Sequence, residues 1–284
     1  MNAEIVRLHD EYTQGGLTRR AFLDRLAQLA GGSAAAAVLL PRLDYVNGQA
    51  IVPEDDKNLV TARVSYDAGG TPIAAYQAKP KAGGKKPAVI VIHENRGLTP
   101  HIQDVARRVA LNGFLALAPD MLSPLGGTPA DETQGPQMIG KLNNEETVAR
   151  LAAAVRYLAA HADSMGKVGV VGFCWGGGMV NQLAAAGTSL NAGVSYYGRQ
   201  LPAADVPKIG CPLLLHYAAL DERINAGIPE FEAALKANHK TYELYMYEGA
   251  NHAFNNNTNA ARYNKTAADL AWGRTIGWFR KYLK

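Results

Sequence analysis

The sequence predicts an α/β fold: a mostly parallel sheet with helices on both faces, an antiparallel N-terminal hairpin, and a helical extension ahead of it. Three observations carry this expectation. From about Leu59, apolar runs of strand length take turns with longer stretches of helical periodicity. Ala88–Ile92 (AVIVI) is a continuous, largely β-branched run, as in a strand buried on both faces. Val60–Tyr66 and Ile73–Ala78 alternate apolar and polar residues around Ala68-Gly69-Gly70-Thr71, the pattern of a hairpin.

The remaining elements follow in chain order. Thr99–Leu111 has helical periodicity and Phe114–Ala118 is a short apolar strand. Glu145–His161 is a long helix with Val148, Leu151, Val155 and Leu158 on one face. Val168–Val171, Ala192–Tyr196, Leu213–Tyr217 and Glu243–Tyr247 read as strands; Gly176–Ala186, Pro229–Ala237 and Ala267–Tyr282 read as helices. Leu122–Asn144 is long and rich in Gly and Pro, so it reads either as a lid or binding loop or as a surface excursion.

Composition narrows the function classes. A chain of 284 residues with 48% hydrophobic and 19% charged residues has an ordinary globular interior. Its net charge of +4 is spread along the chain, which gives no argument for a nucleic-acid partner. Two cysteines, Cys174 and Cys211, exclude a disulfide scaffold and a cysteine-built zinc module. Neither a metal nor a cofactor is expected.

Residues 1–50 differ from the 51–284 domain. Residues 2–14 read as a short polar helix broken at Gly15-Gly16. Thr18-Arg19-Arg20-Ala21-Phe22-Leu23 then precedes a mild Ala/Gly/Leu run, which looks like a twin-arginine export signal. The other reading is an amphipathic helix, with Phe22, Leu26 and Leu29 docking on the domain. The first implies a periplasmic protein; the second implies a cytoplasmic one with the segment retained. The run is too short and too small in side chains to cross a membrane.

The segment richest in chemistry is Gly172-Phe173-Cys174-Trp175-Gly176, where a buried strand runs into a helix. This is a G-x-nucleophile-x-G elbow with Cys as the nucleophile. The helix start favours a thiolate there. Asp221 and His252 each follow a later strand, so nucleophile, acid and histidine come in α/β-hydrolase order. In that arrangement His252 is the base and Asp221 fixes its tautomer. The backbone N–H groups of Trp175 and Asn95 would form the oxyanion hole. For Cys174 alone, the bland alternative is a small buried hydrophobe.

Taken together, residues 55–284 resemble the dienelactone hydrolase (carboxymethylenebutenolidase) family of the α/β-hydrolase fold. The motifs are His93-Glu94-Asn95-Arg96-Gly97, Ala118-Pro119-Asp120, the Cys174 elbow, Tyr196-Tyr197-Gly198, Asp221, and Gly249-Ala250-Asn251-His252-Ala253-Phe254. The resemblance implies hydrolysis of small esters or enol-lactones. It also implies that Glu94 holds the resting thiol and swings away as the thiolate forms; otherwise Glu94 pairs with Arg96 or a neighbouring arginine. Two of the family's substrate arginines are missing, since Met121 follows Asp120 and Asn256 stands four residues after His252. Arg96, Tyr197, Arg199 and Phe254 are the substrate-binding candidates that remain.

Rival readings are a non-catalytic small-molecule-binding protein of the same fold and a thiol redox protein. The second lacks a C-x-x-C pair. A metal enzyme is weaker still, because no second His follows His93-Glu94 at helical spacing.

Overall fold

The computed structural model describes residues 17–33 and 50–284, together with residues 4, 5, 8, 11, 12, 35 and 36. Eight strands form one sheet: β1 (Leu59–Asp67), β2 (Pro72–Pro80), β3 (Lys86–Ile92), β4 (Leu115–Pro119), β5 (Ser164–Phe173), β6 (Ala192–Tyr196), β7 (Leu213–Ala218) and β8 (Tyr242–Tyr247). Their order is β1-β2-β4-β3-β5-β6-β7-β8. β1 is antiparallel to β2, and β2 antiparallel to β4; from β4 to β8 every pairing is parallel.

The helices are α1 (Arg19–Ala30), α2 (Pro100–Leu111), α3 (Gly135–Ile139), α4 (Asn144–Ala160), α5 (Trp175–Ala184), α6 (Glu222–Asn225), α7 (Ile228–Ala237) and α8 (Lys265–Tyr282). Two cores lie on the two faces of the sheet, as the alternation of side chains along a strand requires. Val89 and Val91 of β3 pack with Ile102, Val105 and Val109 of α2, and this core continues to Trp278 and Phe279 of α8. Ile90 and Ile92 join the opposite core with Leu151, Val155 and Leu158 of α4 and Val180 and Leu183 of α5. The apolar run AVIVI therefore feeds both faces, which is why it shows no alternation.

β5 begins four residues earlier than Val168, because Ser164 pairs with Lys86 across a register irregularity. Residues 122–144 hold two 3-10 turns (Ser123–Leu125 and Glu132–Gln134) and the short helix α3. They lie against the loop after β3: the Leu98 N–H donates to Thr128 Oγ1 at 2.7 Å, and the Thr128 N–H donates to Asp120 Oδ2 at 2.7 Å. A Cβ at Gly135 would come within 2.6 Å of Arg96 Cα, so only glycine allows this approach.

At the N-terminus, Thr18 caps α1 by accepting from the Ala21 N–H. Phe22 and Leu26 are buried with Ile5, Leu8 and Ala36, and Ala261 packs against this cluster. Leu29 is 39% exposed and lies off the docking face. Residues 37–49, with the end of the Ala/Gly/Leu run, lie outside the described residues, as do parts of 2–14. Among the described residues no helix is long and apolar enough to cross a membrane.

Candidate active site

The C-terminal ends of the parallel strands lie on one edge, where open α/β sheets place their sites, and the loops there hold the candidate residues. β5 ends at Phe173. The next residue, Cys174, has φ 55° and ψ −115°, a strained backbone for a non-glycine residue, and α5 starts immediately after it. The glycines on either side make this turn possible. A Cβ at Gly172 would lie 2.2 Å from the Gly176 carbonyl oxygen, and one at Gly176 would lie 2.5 Å from the His93 carbonyl oxygen. The elbow read from the sequence is present, with Cys174 at its tip facing the pocket.

His252 follows β8 and the Gly249 turn (φ 67°), and lines the same pocket. Its Nδ1–H donates to Asp221 Oδ2 at 2.5 Å. Asp221 follows β7, caps α6, and accepts the Ile224 N–H on its other oxygen at 3.3 Å. Burial works to raise the Asp221 carboxyl, but the His252 hydrogen bond and charge, with Arg223, bring it below the usual carboxylate range. Burial likewise works against a charged His252. The neighbouring Cys174 sulfur and the Asp221 carboxylate outweigh it and push the imidazole up to about 10. Both neighbours thus favour the charged form of the imidazole.

Glu94 follows β3 and lines the pocket beside Cys174. Burial pushes its carboxyl up, offset in part by Asn256, His252, Arg96 and Arg262. Its hydrogen-bond partner is Asn256, whose Nδ2 donates to Oε2 at 2.8 Å. The expected alternative, a Glu94–Arg96 pair, gives way to this bond, and Arg96 instead faces Glu132 at 3.8 Å. Glu94 Oε1 is buried without a hydrogen-bond partner.

The substrate candidates fare unequally. Arg96 lines the pocket. Tyr197 and Phe254 do not; both are fully buried core. The Tyr197 ring lies 5.0 Å from that of His252, centroid to centroid, and Phe254 packs edge-on behind Tyr197. Arg199 is exposed and lines a separate depression with Gln182 and Glu230. Tyr197 has φ 39°, and this turn carries the chain off the end of β6 and over Gly178 on α5, away from the pocket. Met121, at the place of a family arginine, is fully buried. His101, Glu132, Thr258, Asn259 and Arg262 also line the pocket, and sequence reasoning missed them. His101 is on α2, Glu132 is in the 3-10 turn Glu132–Gln134, and Thr258, Asn259 and Arg262 are in the turns that follow His252. Among the described residues, no group of three or more His, Cys, Asp or Glu side chains is placed to hold a metal ion.

Comparison with known proteins gives the family. The model of the dienelactone hydrolase family matches residues 73–283. The chain belongs to the dienelactone hydrolase family. Among its relatives, an Escherichia coli O157:H7 protein provisionally named carboxymethylenebutenolidase is 30% identical over 82% of this chain and 91% of its own. A Bradyrhizobium protein, provisionally named 2-oxo-3-(5-oxofuran-2-ylidene)propanoate lactonase, is 32% identical over 78% of this chain and 94% of its own. The crystal structure of a provisionally assigned dienelactone hydrolase from Klebsiella pneumoniae superposes with a TM-score of 0.73. It is 30% identical, covering 79% of this chain and 99% of that one. This member of the dienelactone hydrolase family is accordingly an enzyme, a hydrolase of the carboxylic ester and lactone class.

Proposed function

We propose that the enzyme cleaves small activated esters or enol-lactones through a Cys174–His252–Asp221 triad and a thioester acyl-enzyme. The supporting observation is His252, hydrogen-bonded to Asp221 and sharing a pocket with Cys174 at the tip of a strained elbow. The thiolate attacks the acyl carbon. The resulting oxyanion is met by the N–H groups of Trp175 and Asn95. The C–O bond to the leaving group breaks, and His252 protonates the departing oxygen. Water, deprotonated by His252, then attacks the thioester and expels the thiolate. A thiolate leaves more readily than an alkoxide or amine, so the reaction favours enol and phenol leaving groups over amides.

Glu94 is proposed to act on the thiol proton. Its buried carboxyl takes up a proton readily, and it shares the pocket with Cys174. The pocket is strongly polar, with Pro100 and Ala253 as its apolar wall residues, which suits a small oxygen-rich substrate better than a fatty ester.

The test is hydrolysis of a panel of aryl esters and unsaturated lactones by wild type beside Cys174→Ala. Turnover by wild type should fall by roughly 10³-fold or more in the variant. Unchanged turnover in Cys174→Ala would dismiss the thioester route.

A further inference from the structure

We infer that His93 is a positioning residue that aims the Asn95 N–H of the oxyanion hole. This rests on the functional reading above. His93 sits at the end of β3, is fully buried, and lies one residue before Glu94. Its Nε2 accepts the Met121 N–H at 3.1 Å. That fixes the tautomer, because the accepting nitrogen carries no proton and the ring hydrogen must be on Nδ1. Nδ1 lies 2.6 Å from the Glu94 carbonyl oxygen, so it donates there.

The consequence follows from peptide geometry. The Glu94 carbonyl and the Asn95 N–H belong to one peptide unit. In a planar trans peptide the two point in opposite directions. A ring that clamps the carbonyl on one side therefore sets the direction of the N–H on the other. The ring itself is held from two sides: by Met121 through Nε2, and by Trp175, which stacks on it at 5.2 Å and 18°. Trp175 supplies the other oxyanion donor. His93 thus couples both donors, fixing the peptide of one and packing on the side chain of the other.

Burial lowers the basicity of His93, which favours the neutral ring that its hydrogen bonds with Met121 and Glu94 require. A protonated ring would lose the acceptor on which the Met121 contact depends. His93 touches no reacting atom in this scheme, and its effect acts through Asn95.

The test compares His93→Ala, His93→Asn and His93→Gln. In Asn the amide nitrogen occupies roughly the place of Nδ1 and can still donate to the Glu94 carbonyl. In Gln the terminal oxygen occupies roughly the place of Nε2 and can only receive the Met121 N–H. Two rates are read on each variant. Acylation by p-nitrophenyl acetate passes through an oxyanion; alkylation of Cys174 by iodoacetamide does not. We expect His93→Ala to slow acylation by about 10- to 100-fold with KM little changed, since misaiming a donor forfeits much of its effect. Alkylation should stay within about twofold of wild type. His93→Asn should recover most of the acylation rate, and His93→Gln should not.

The Asn and Gln variants each keep a polar side chain in the place of the ring, so their comparison decides the matter even if the alanine variant does not fold. Equal acylation by both, or alkylation falling in parallel with acylation, would overturn the inference. Full activity in Cys174→Ala would overturn the thiol mechanism itself and this inference with it. A dead Cys174→Ala beside a flat His93 series would overturn the inference alone.

Discussion

Two buried histidines, one within a strand and one just past its neighbour, are shifted in opposite directions. His252, just past β8, is pushed up to about 10; His216, within β7, is pushed down to about 3. Both are buried, so desolvation acts against the charged form in each. The partners differ. His252 has the Asp221 carboxylate and the Cys174 sulfur. His216 has the hydroxyls of Tyr247 at 2.9 Å and Thr275 at 3.2 Å, with Arg274 adding a repulsive charge. Burial alone does not make a catalytic histidine. What distinguishes His252 is the Asp221 carboxylate on one side and the Cys174 sulfur on the other, and the strand ends are where the fold can place both.

Removing the carboxylate is the sharpest way to break the contrast. Asp221→Asn keeps the shape but leaves His252 without its carboxylate, and it can present the wrong face of the amide to Nδ1. Ester hydrolysis should fall by roughly 10³- to 10⁴-fold. Its imidazole should also titrate well below wild type when followed by NMR. A variant that hydrolyses at the wild-type rate would show that the Cys174 sulfur alone holds the charge.

The converse change sharpens the comparison from the other side. His216→Phe keeps a ring in the core but leaves Tyr247 and Thr275 with one hydrogen bond fewer each. Unfolding stability should drop by about 1–3 kcal/mol. Hydrolysis per folded molecule should stay near wild type, because His216 touches no part of the pocket. Denaturation curves and turnover on the same samples separate the two effects, and a large loss of turnover would mean that the sheet transmits more than this account allows.

The contrast also marks what the sequence made legible. The elbow could be read because its glycines answer to local geometry: Gly172 and Gly176 sit where a Cβ would strike backbone. Asp221 and His252 could be read because each follows a strand whose pattern is local. The roles of Tyr197 and Phe254 could not, because an aromatic ring near a site looks the same whether it lines the pocket or backs a catalytic ring. Arg199 was misplaced for a conformational reason: the positive φ at Tyr197 turns the chain away, and nothing in Tyr196-Tyr197-Gly198 announces which way. Arg262 gave no local signal at all. It reaches the pocket because the turns from Ala253 to Asn264 fold back, with the Asn264 N–H donating to the Phe254 carbonyl at 3.0 Å.

Glu94 tests whether the same logic extends to another buried titratable group of the pocket. Burial raises its carboxyl, and Asn256 offers it an amide where an arginine would offer a charge. A carboxyl whose folded pKa lies above its unfolded value of 4.5 imposes no penalty in acid, where both states are protonated. As pH rises past 4.5 the unfolded chain ionises first, and the folded state loses stability until its own carboxyl ionises. Glu94→Gln removes that penalty. The variant should match wild type near pH 4 and become progressively more stable than wild type as pH rises, read from denaturation midpoints. Its hydrolysis should fall by about 100-fold if the carboxyl handles the thiol proton, as general acid–base groups usually contribute. A gain in stability without a loss of turnover would leave Glu94 as a tolerated buried acid with no part in the chemistry. A loss of turnover with the stability gain would show that the buried carboxyl is kept at the expense of folding because the reaction needs it.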